Sequence, residues 1–275
     1  MDSTMARDKD YVLGTHDEEL TRLGLQNRVW RPRAMDVWRR AGFTVGQTLL
    51  DVGCGPGYAA LDLADIVGPT GRVLAIDRSR RFLDALGVAR DRRGLTQIET
   101  LELDLDEGRL AEVQADGAWS RWVFAFVKHP RDLLIRVRDA LRPGGTFVLH
   151  EYFDYSTWRM APRCAELEEL VSVVMKTWRA DGGEPDIGLQ LPGWLAELGF
   201  EVKSLLPIID IVPASNYVWQ WPKSFIQVGL RRLIELGALS ADRAAAISQA
   251  FAASEADPST LMITPAVIEI IAVRQ

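Results

Sequence analysis

The chain is poor in the residues that build covalent or metal-bound scaffolds. It has two cysteines, Cys54 and Cys164, and three histidines in 275 residues. That is too few for a disulfide framework or a cysteine-based zinc site, so no metal and a reducing compartment are expected. A surplus of positive charge is also missing: 32 Lys and Arg stand against 38 Asp and Glu, a net charge of −6. Proteins that track nucleic acid neutralise phosphates with a basic excess, so nucleic acid is not an expected partner. No apolar run approaches the roughly 18 residues that cross a bilayer. The opening MDSTMARDKD is charged and has no apolar stretch of the secretory kind. The expectation is a soluble cytoplasmic protein without a membrane partner.

What remains is ordinary globular composition, 48% hydrophobic and 25% charged. The length suits one large domain or two small ones, at roughly 150 residues each. No internal repeat and no Ser/Gly/Pro-rich linker divides the chain, which predicts one elaborated domain over 1–275. Short apolar runs alternate with longer amphipathic segments through the middle. Thr48–Val52, Arg72–Ile76, Ile98–Leu103, Gly117–Ser120 and Thr146–Glu151 read as strands. Tyr58–Val67, Ser79–Arg90 and Pro130–Leu141 read as the helices between them, closed by Gly and Pro. This rhythm predicts an α/β protein, a doubly wound and mostly parallel sheet with helices on both faces. Glu201–Val212 and Ala266–Val273 read as two further strands, and Ala165–Ala180, Lys223–Leu236 and Ala241–Ala253 as helices. The sheet core is then about 44–151, 188–215 and 262–275. Segments 1–43, 152–187 and 216–261 are additions that cap one end of it.

Asp51-Val52-Gly53-Cys54-Gly55-Pro56-Gly57 follows the first strand and opens the first helix. Glycines there let a ligand lie against main chain, at the strand end where open parallel sheets bind ligands. The dinucleotide fingerprint G-x-G-x-x-G needs glycine at 58, and Tyr58 stands there. An acidic residue two positions before the first glycine suits a cationic ligand, one with an amino group and a sulfonium, better than a pyrophosphate. Asp77 ends the second strand, placed to accept both hydroxyls of a ribose. Arg78 beside it can instead admit a 2′-phosphate, which keeps an NADP-linked oxidoreductase as the alternative. Asp104 and Leu105 follow the third strand, where a carboxylate can bond an adenine amino group and an aliphatic side chain can pack on the ring.

These segments together resemble the class I S-adenosylmethionine-dependent methyltransferases, densely over Gln47–Glu151 and loosely elsewhere. LLDVGCGPGY is similar to the family's first motif, VLAID to its second and LELDLDE to its adenine-contacting loop. WSRWVFAFVKHP and LRPGGTFVLHEY are similar to the fourth strand with its loop and to the fifth strand with its approach. The resemblance implies a seven-stranded sheet whose last strand is antiparallel, and S-adenosyl-L-methionine as cofactor. It implies that Gly53, Gly55 and Gly57, with Asp51 and Cys54 in the same loop, line the methionine part. Asp77 and Arg78 would meet the ribose, Asp104 and Leu105 the adenine, and Ser120 would back the sulfonium. Tyr11 would fold over the cofactor. A catalytically inactive cofactor-binding subunit is the second alternative.

Methyl transfer from a sulfonium is an in-line displacement that chiefly needs alignment and a dry pocket. The loop after the fourth strand holds Ala125 and Phe126 where the family often offers a polar or histidine pair, so a base is not expected there. His129, just before Pro130, reads as structural, and His16 as an exposed residue of the N-terminal segment. His150 and Glu151 end the fifth strand and are the candidate catalytic pair. Neighbours on a strand point to opposite faces, so at most one of them is expected in the pocket. Nine tryptophans are many for this length, and several lie outside the minimal sheet. Tyr152, Tyr155, Trp158, Trp178 and Trp219, with Phe153, Tyr217, Trp221 and Phe225, are the candidate aromatic cover over a small organic substrate. The arginines at 28, 31, 33, 39 and 40 read first as a solvated helix face. Acceptor identity and oligomeric state, monomer or homodimer, do not follow from the sequence.

Overall fold

The computed structural model describes residues 17–110 and 113–275. Tyr11 and His16 therefore lie outside the described residues. The chain begins with α1 (Asp17–Arg40), then alternates β1 (Thr48–Val52), α2 (Tyr58–Val67), β2 (Arg72–Asp77), α3 (Arg80–Arg93) and β3 (Ile98–Glu102). β4 (Ala115–Arg121), α4 (Pro130–Ala140) and β5 (Leu141–Asp154) complete the first half. The second half runs β6 (Arg159–Ala161), α5 (Ala165–Ala180), α6 (Leu191–Glu197), β7 (Phe200–Ile208) and β8 (Ile211–Pro213). It closes with α7 (Gln220–Glu235), α8 (Ala241–Ala256), β9 (Leu261–Ile263) and β10 (Ala266–Arg274).

Seven strands form one sheet in the order β3-β2-β1-β4-β5-β10-β7, with β10 antiparallel to both its neighbours. The predicted doubly wound sheet with an antiparallel last strand is the one observed. Strand order reverses between β1 and β4, so the loops after these two strands splay apart and leave the crevice where such sheets bind ligands. The strands form because their apolar residues are covered on both faces: Leu49, Leu50 and Val52 of β1 are fully buried, as are Val73, Ala75 and Ile76 of β2. None of the described helices is long and apolar enough to cross a membrane.

Two elements differ from the sequence reading. The expected strand Glu201–Val212 breaks after Ile208, and Ile211–Pro213 instead joins a second, three-stranded sheet in the order β6-β9-β8. Asp210 makes the break: its backbone N–H donates to the Thr264 hydroxyl (3.0 Å), its carbonyl accepts from the Thr264 N–H, and its carboxylate takes both bonds from Arg33. The second difference is α1, a helix of 24 residues with Pro32 inside it. Its arginines are not a free cationic face. Arg31 pairs with Asp62 of α2, Arg33 with Asp210, and Arg40 with both Asp36 and Glu269. α1 is thereby fastened across the top of the sheet, and Trp30 and Trp38 on its inner face are buried to 0% and 1% exposure.

The deepest of these fastenings fixes His150. On β5 it stands directly opposite Glu269 of β10, and its ring Nε2–H donates to the Glu269 carboxylate at 3.0 Å. Burial pushes the imidazole below its ordinary pKa, so it is neutral. Glu269 is held ionised against its burial by hydrogen bonds from His150 and Arg40. Trp119 and Trp30 enclose the imidazole edge-on, at 4.9 Å and 5.6 Å between centroids. Glu269→Ala is expected to cost about 1–3 kcal/mol in urea unfolding, the usual consequence of leaving a buried donor, here the His150 ring N–H, without its acceptor. A loss below about 1 kcal/mol would show that the pair contributes no stability.

Candidate active site

The glycine loop is bound to its neighbours before any ligand arrives. The Gly53 and Cys54 N–H groups both donate to the Ile76 carbonyl at 2.9 Å, which ties the end of β1 to β2. Gly53 has φ +72°, and a Cβ there would lie 2.3 Å from a methyl of Val123, so this glycine admits the loop that follows β4. Gly55 has φ +53°, lines the cavity, and has open space where its Cβ would be. Gly57 is not on the cavity: Leu86 of α3 fills its Cβ position, and the residue starts α2. Its role is helix–helix packing, which corrects the expectation that it lines the ligand. Tyr58, the residue that breaks the dinucleotide fingerprint, donates its hydroxyl to the Leu20 carbonyl at 3.1 Å and so anchors α1 over the loop.

The acids of the crevice have distinct surroundings. Asp77 accepts the Gly55 N–H on one oxygen and the Ser79 N–H on the other, both at 2.8 Å. Burial raises its pKa in spite of these bonds. Asp51 is 2% exposed, and burial pushes its carboxyl up to about 7, with Arg121 opposing and Asp77 adding to the rise. Its Oδ2 has no hydrogen-bond partner. Arg78, Asp104, Leu105 and Asp106 line the outer end of the same cavity. Asp104 accepts the Asp106 N–H at 2.8 Å, and Asp106 caps the start of α4 through the Lys128 and His129 N–H groups. Cys54 lines the cavity with a thiol held far above its usual pKa by burial.

Arg121 escaped the sequence reading. It ends β4, is half-buried with its Nη1 enclosed, and lines the cavity between the Trp119 and Trp122 rings, with centroids 5.8 Å and 5.4 Å from its guanidinium carbon. One terminal nitrogen donates to Asn27 of α1 at 3.1 Å, and the other, Nη1, has no partner. Burial lowers its pKa to about 10. Trp122 then turns through φ +53°, a left-handed backbone that bulky residues rarely adopt. Its N–H donates to the His150 carbonyl at 2.9 Å, and the next two N–H groups, of Val123 and Phe124, donate to Glu151 Oε1 at 2.7 and 2.9 Å.

This corrects the candidate catalytic pair. Neither His150 nor Glu151 is on the cavity wall, and both are fully buried. His150 faces α1 and Glu269, while Glu151 Oε1 is taken by the loop after β4 and its buried Oε2 has no hydrogen-bond partner. Ser120 likewise is not on the wall; its hydroxyl donates to the Val52 carbonyl at 3.2 Å and joins β4 to β1. Trp219 packs against Phe251 of α8, away from the cavity. Tyr152, Tyr155, Trp158 and Trp178 do line it, joined by Trp122, Trp221 and Phe225, so the aromatic end is real but differently composed. Arg22, bonded to Glu19 and Gln26, also reaches the wall. Among the described residues no His, Cys, Asp and Glu group could hold a metal ion.

Burial raises Asp51 to about 7 and Glu151 to about 8. Both keep protons in the folded chain at pH values where the unfolded chain has released them. Their stabilising effect is therefore complete below about pH 4 and declines as pH rises toward about 8, by on the order of a few kcal/mol. Urea unfolding across that range is expected to show the decline, and Asp51→Asn or Glu151→Gln, which cannot ionise, to flatten it. A wild-type profile that is flat over the same range would contradict the burial of these carboxyls.

Comparison with known proteins places this geometry. Residues 50–149 match a protein-family model described as a methyltransferase domain. The biotin biosynthesis bifunctional protein BioHC of Teredinibacter turnerae is 32% identical over 143 residues, 48% of this chain and 25% of that protein. The chain thus spans a quarter of that relative. Among solved structures, the geranyl diphosphate C-methyltransferase of Streptomyces coelicolor A3(2) superposes with TM-score 0.57 at 16% identity, covering 89% of this chain and 76% of the other. The [4+2]-cyclase SpnF superposes with TM-score 0.56 at 19% identity, covering 88% and 80%. At such identities the structures establish the fold, and the two reactions they are named for differ. The family match favours the methyltransferase reading over the NADP-linked alternative. From β1 into β5, over residues 50–149, the chain is similar to methyltransferase domains.

Proposed function

We propose that the protein transfers a methyl group from S-adenosylmethionine to a small organic acceptor by direct displacement. One observation carries the reading. Asp51 Oδ2 and Arg121 Nη1, one acidic and one cationic group, are buried and without hydrogen-bond partners, on residues that line one cavity beside Gly53 and Gly55. Buried polar groups without partners are costly unless something completes them. The zwitterionic amino-acid head of S-adenosylmethionine has the two charges required, its ammonium for Asp51 and its carboxylate for Arg121. The residues present therefore fit the cofactor.

When bound, S-adenosylmethionine supplies an activated methyl on a sulfonium. The chain's own work is binding and alignment. Asp51 and Arg121 hold the head, and the bare backbone at Gly55 leaves room against the loop. Asp77 keeps a second lone pair on each oxygen for ribose hydroxyls, and Asp104 with Leu105 takes the adenine. The aromatic end excludes water, which favours a reaction that disperses charge. Since His150 and Glu151 are withdrawn from the cavity, neither handles the acceptor's proton. A small acceptor is supported by the enclosed aromatic wall, and a cytoplasmic setting by the composition; the acceptor itself is taken up below.

Calorimetric titration with S-adenosylmethionine tests the assignment. Asp51→Asn and Arg121→Met are each expected to weaken binding by about 1–3 kcal/mol, the worth of a hydrogen bond to a charged group. NADPH is expected not to bind. Unchanged affinity in both variants, or binding of NADPH alone, would remove the proposal.

A further inference from the structure

The aromatic end of the cavity has an order that packing alone does not require. Trp122, Tyr152 and Trp221 lie parallel: the Trp122 plane is tilted 11° from Tyr152 and 10° from Trp221, and Tyr152 and Trp221 differ by 3°. Their centroids are 5.2, 5.3 and 6.5 Å apart. These three rings come from three separate places, the loop after β4, the end of β5 and the start of α7. All three line the cavity. Trp30 of α1 stands perpendicular to two of them, at 85° to Trp122 and 87° to Trp221, with centroids 5.0 and 4.8 Å away. It is fully buried and acts as a wedge that keeps the two planes aligned. The opposite pattern holds deeper in the chamber, where Tyr155 meets Tyr152 at 83° and Trp178 at 61°.

Aromatic pairs prefer offset-stacked or edge-to-face arrangements, because ring faces are negative and ring edges positive. A chamber with one parallel stack and steeply inclined rings around it can satisfy both preferences for a single guest, provided that guest is flat. A quaternary ammonium would want a carboxylate as well as ring faces. The acids on the cavity wall, Asp51, Asp77, Asp104 and Asp106, lie at the ends of β1 and β2 or just after β3, strands that contribute no ring to this stack. A diphosphate would want free cations here; Arg22 is already engaged by Glu19 and Gln26, and Arg121, packed on Trp122, is the cation assigned above to the cofactor's carboxylate.

We propose that the methyl acceptor is a planar conjugated ring system, uncharged at the ring, that lies parallel to the Trp122–Tyr152–Trp221 stack. This rests on the methyltransferase reading above and names the substrate class of that site. Trp30 is a positioning residue for the stack: the aligned planes exist before the guest arrives, so little side-chain freedom is lost on binding.

The test uses the whole chain saturated with S-adenosylhomocysteine, titrated calorimetrically with 2-naphthol, with decahydro-2-naphthol and with tetramethylammonium chloride. The first two have the same carbon skeleton and hydroxyl and differ in planarity. 2-Naphthol is expected to bind about tenfold tighter than its saturated counterpart, and Trp221→Leu and Tyr152→Leu each to weaken it roughly fivefold. Both variants are expected to keep their affinity for S-adenosylhomocysteine, which also shows that they fold. Equal binding of the flat and saturated alcohols, tighter binding of tetramethylammonium, or indifference to both substitutions would overturn the proposal. Failure of S-adenosylhomocysteine to bind the unaltered chain would instead overturn the methyltransferase reading on which it rests.

Discussion

The site depends on the grip that the end of β5 exerts on the loop after β4. Two consecutive residues supply it by different means. His150 accepts the Trp122 N–H with its backbone carbonyl, and Glu151 accepts the Val123 and Phe124 N–H groups with its side chain. A left-handed tryptophan persists only where its surroundings over-determine it, and strain of this kind collects at functional sites. Here three hydrogen bonds from one strand end hold the turn. The result is that Arg121 points into the cavity from one side of the turn, and the Trp122 ring joins the aromatic wall on the other. Polar recognition and apolar recognition are thus set by one backbone conformation.

A second constraint is the helix laid over the strand ends. α1 supplies Arg22, Leu23 and Gln26 to the cavity wall, Asn27 to Arg121 and Trp30 to the ring stack. Its ion pairs run to α2, to the turn between β7 and β8, and to β10. Individually such pairs at a half-exposed surface contribute little. The Arg40–Glu269–His150 chain is different, because Glu269 and His150 are buried and it reaches the strand whose next residue grips the β4 loop. Helix placement and loop placement are therefore coupled through neighbouring positions of β5.

Local chemistry is legible in a sequence, and Gly53, Cys54 and Gly55 of the glycine loop, Asp51, Asp77 and the Asp104–Leu105 pair all reach the cavity as read. Each sits at or just after a strand's carboxyl end, so strand order alone delivers it to the crevice. Facing is harder to read. A period of two says that His150 and Glu151 point opposite ways, but not that both faces are occupied, one by Glu269 and the other by backbone amides. Those partners are 119 and 27–28 residues away in the chain. Ser120 and Gly57 failed for a related reason: their motif positions are right, while Val52 and Leu86 claim them. Trp219 and Trp221 are two residues apart and have opposite fates, which a composition argument about aromatic covers cannot separate. Arg121 was hidden among aromatics at a strand end, where one arginine has no periodicity to announce it.

The central claim is that Asp51 and Arg121 are two halves of one receptor for an amino-acid head group. A crystal structure of the protein with S-adenosylhomocysteine tests it most directly. The account requires the ligand's ammonium within hydrogen-bond distance of Asp51 and its carboxylate within hydrogen-bond distance of Arg121, with the Trp122 backbone still left-handed. A ligand bound with its amino-acid end elsewhere, leaving both groups unpaired, would contradict the account.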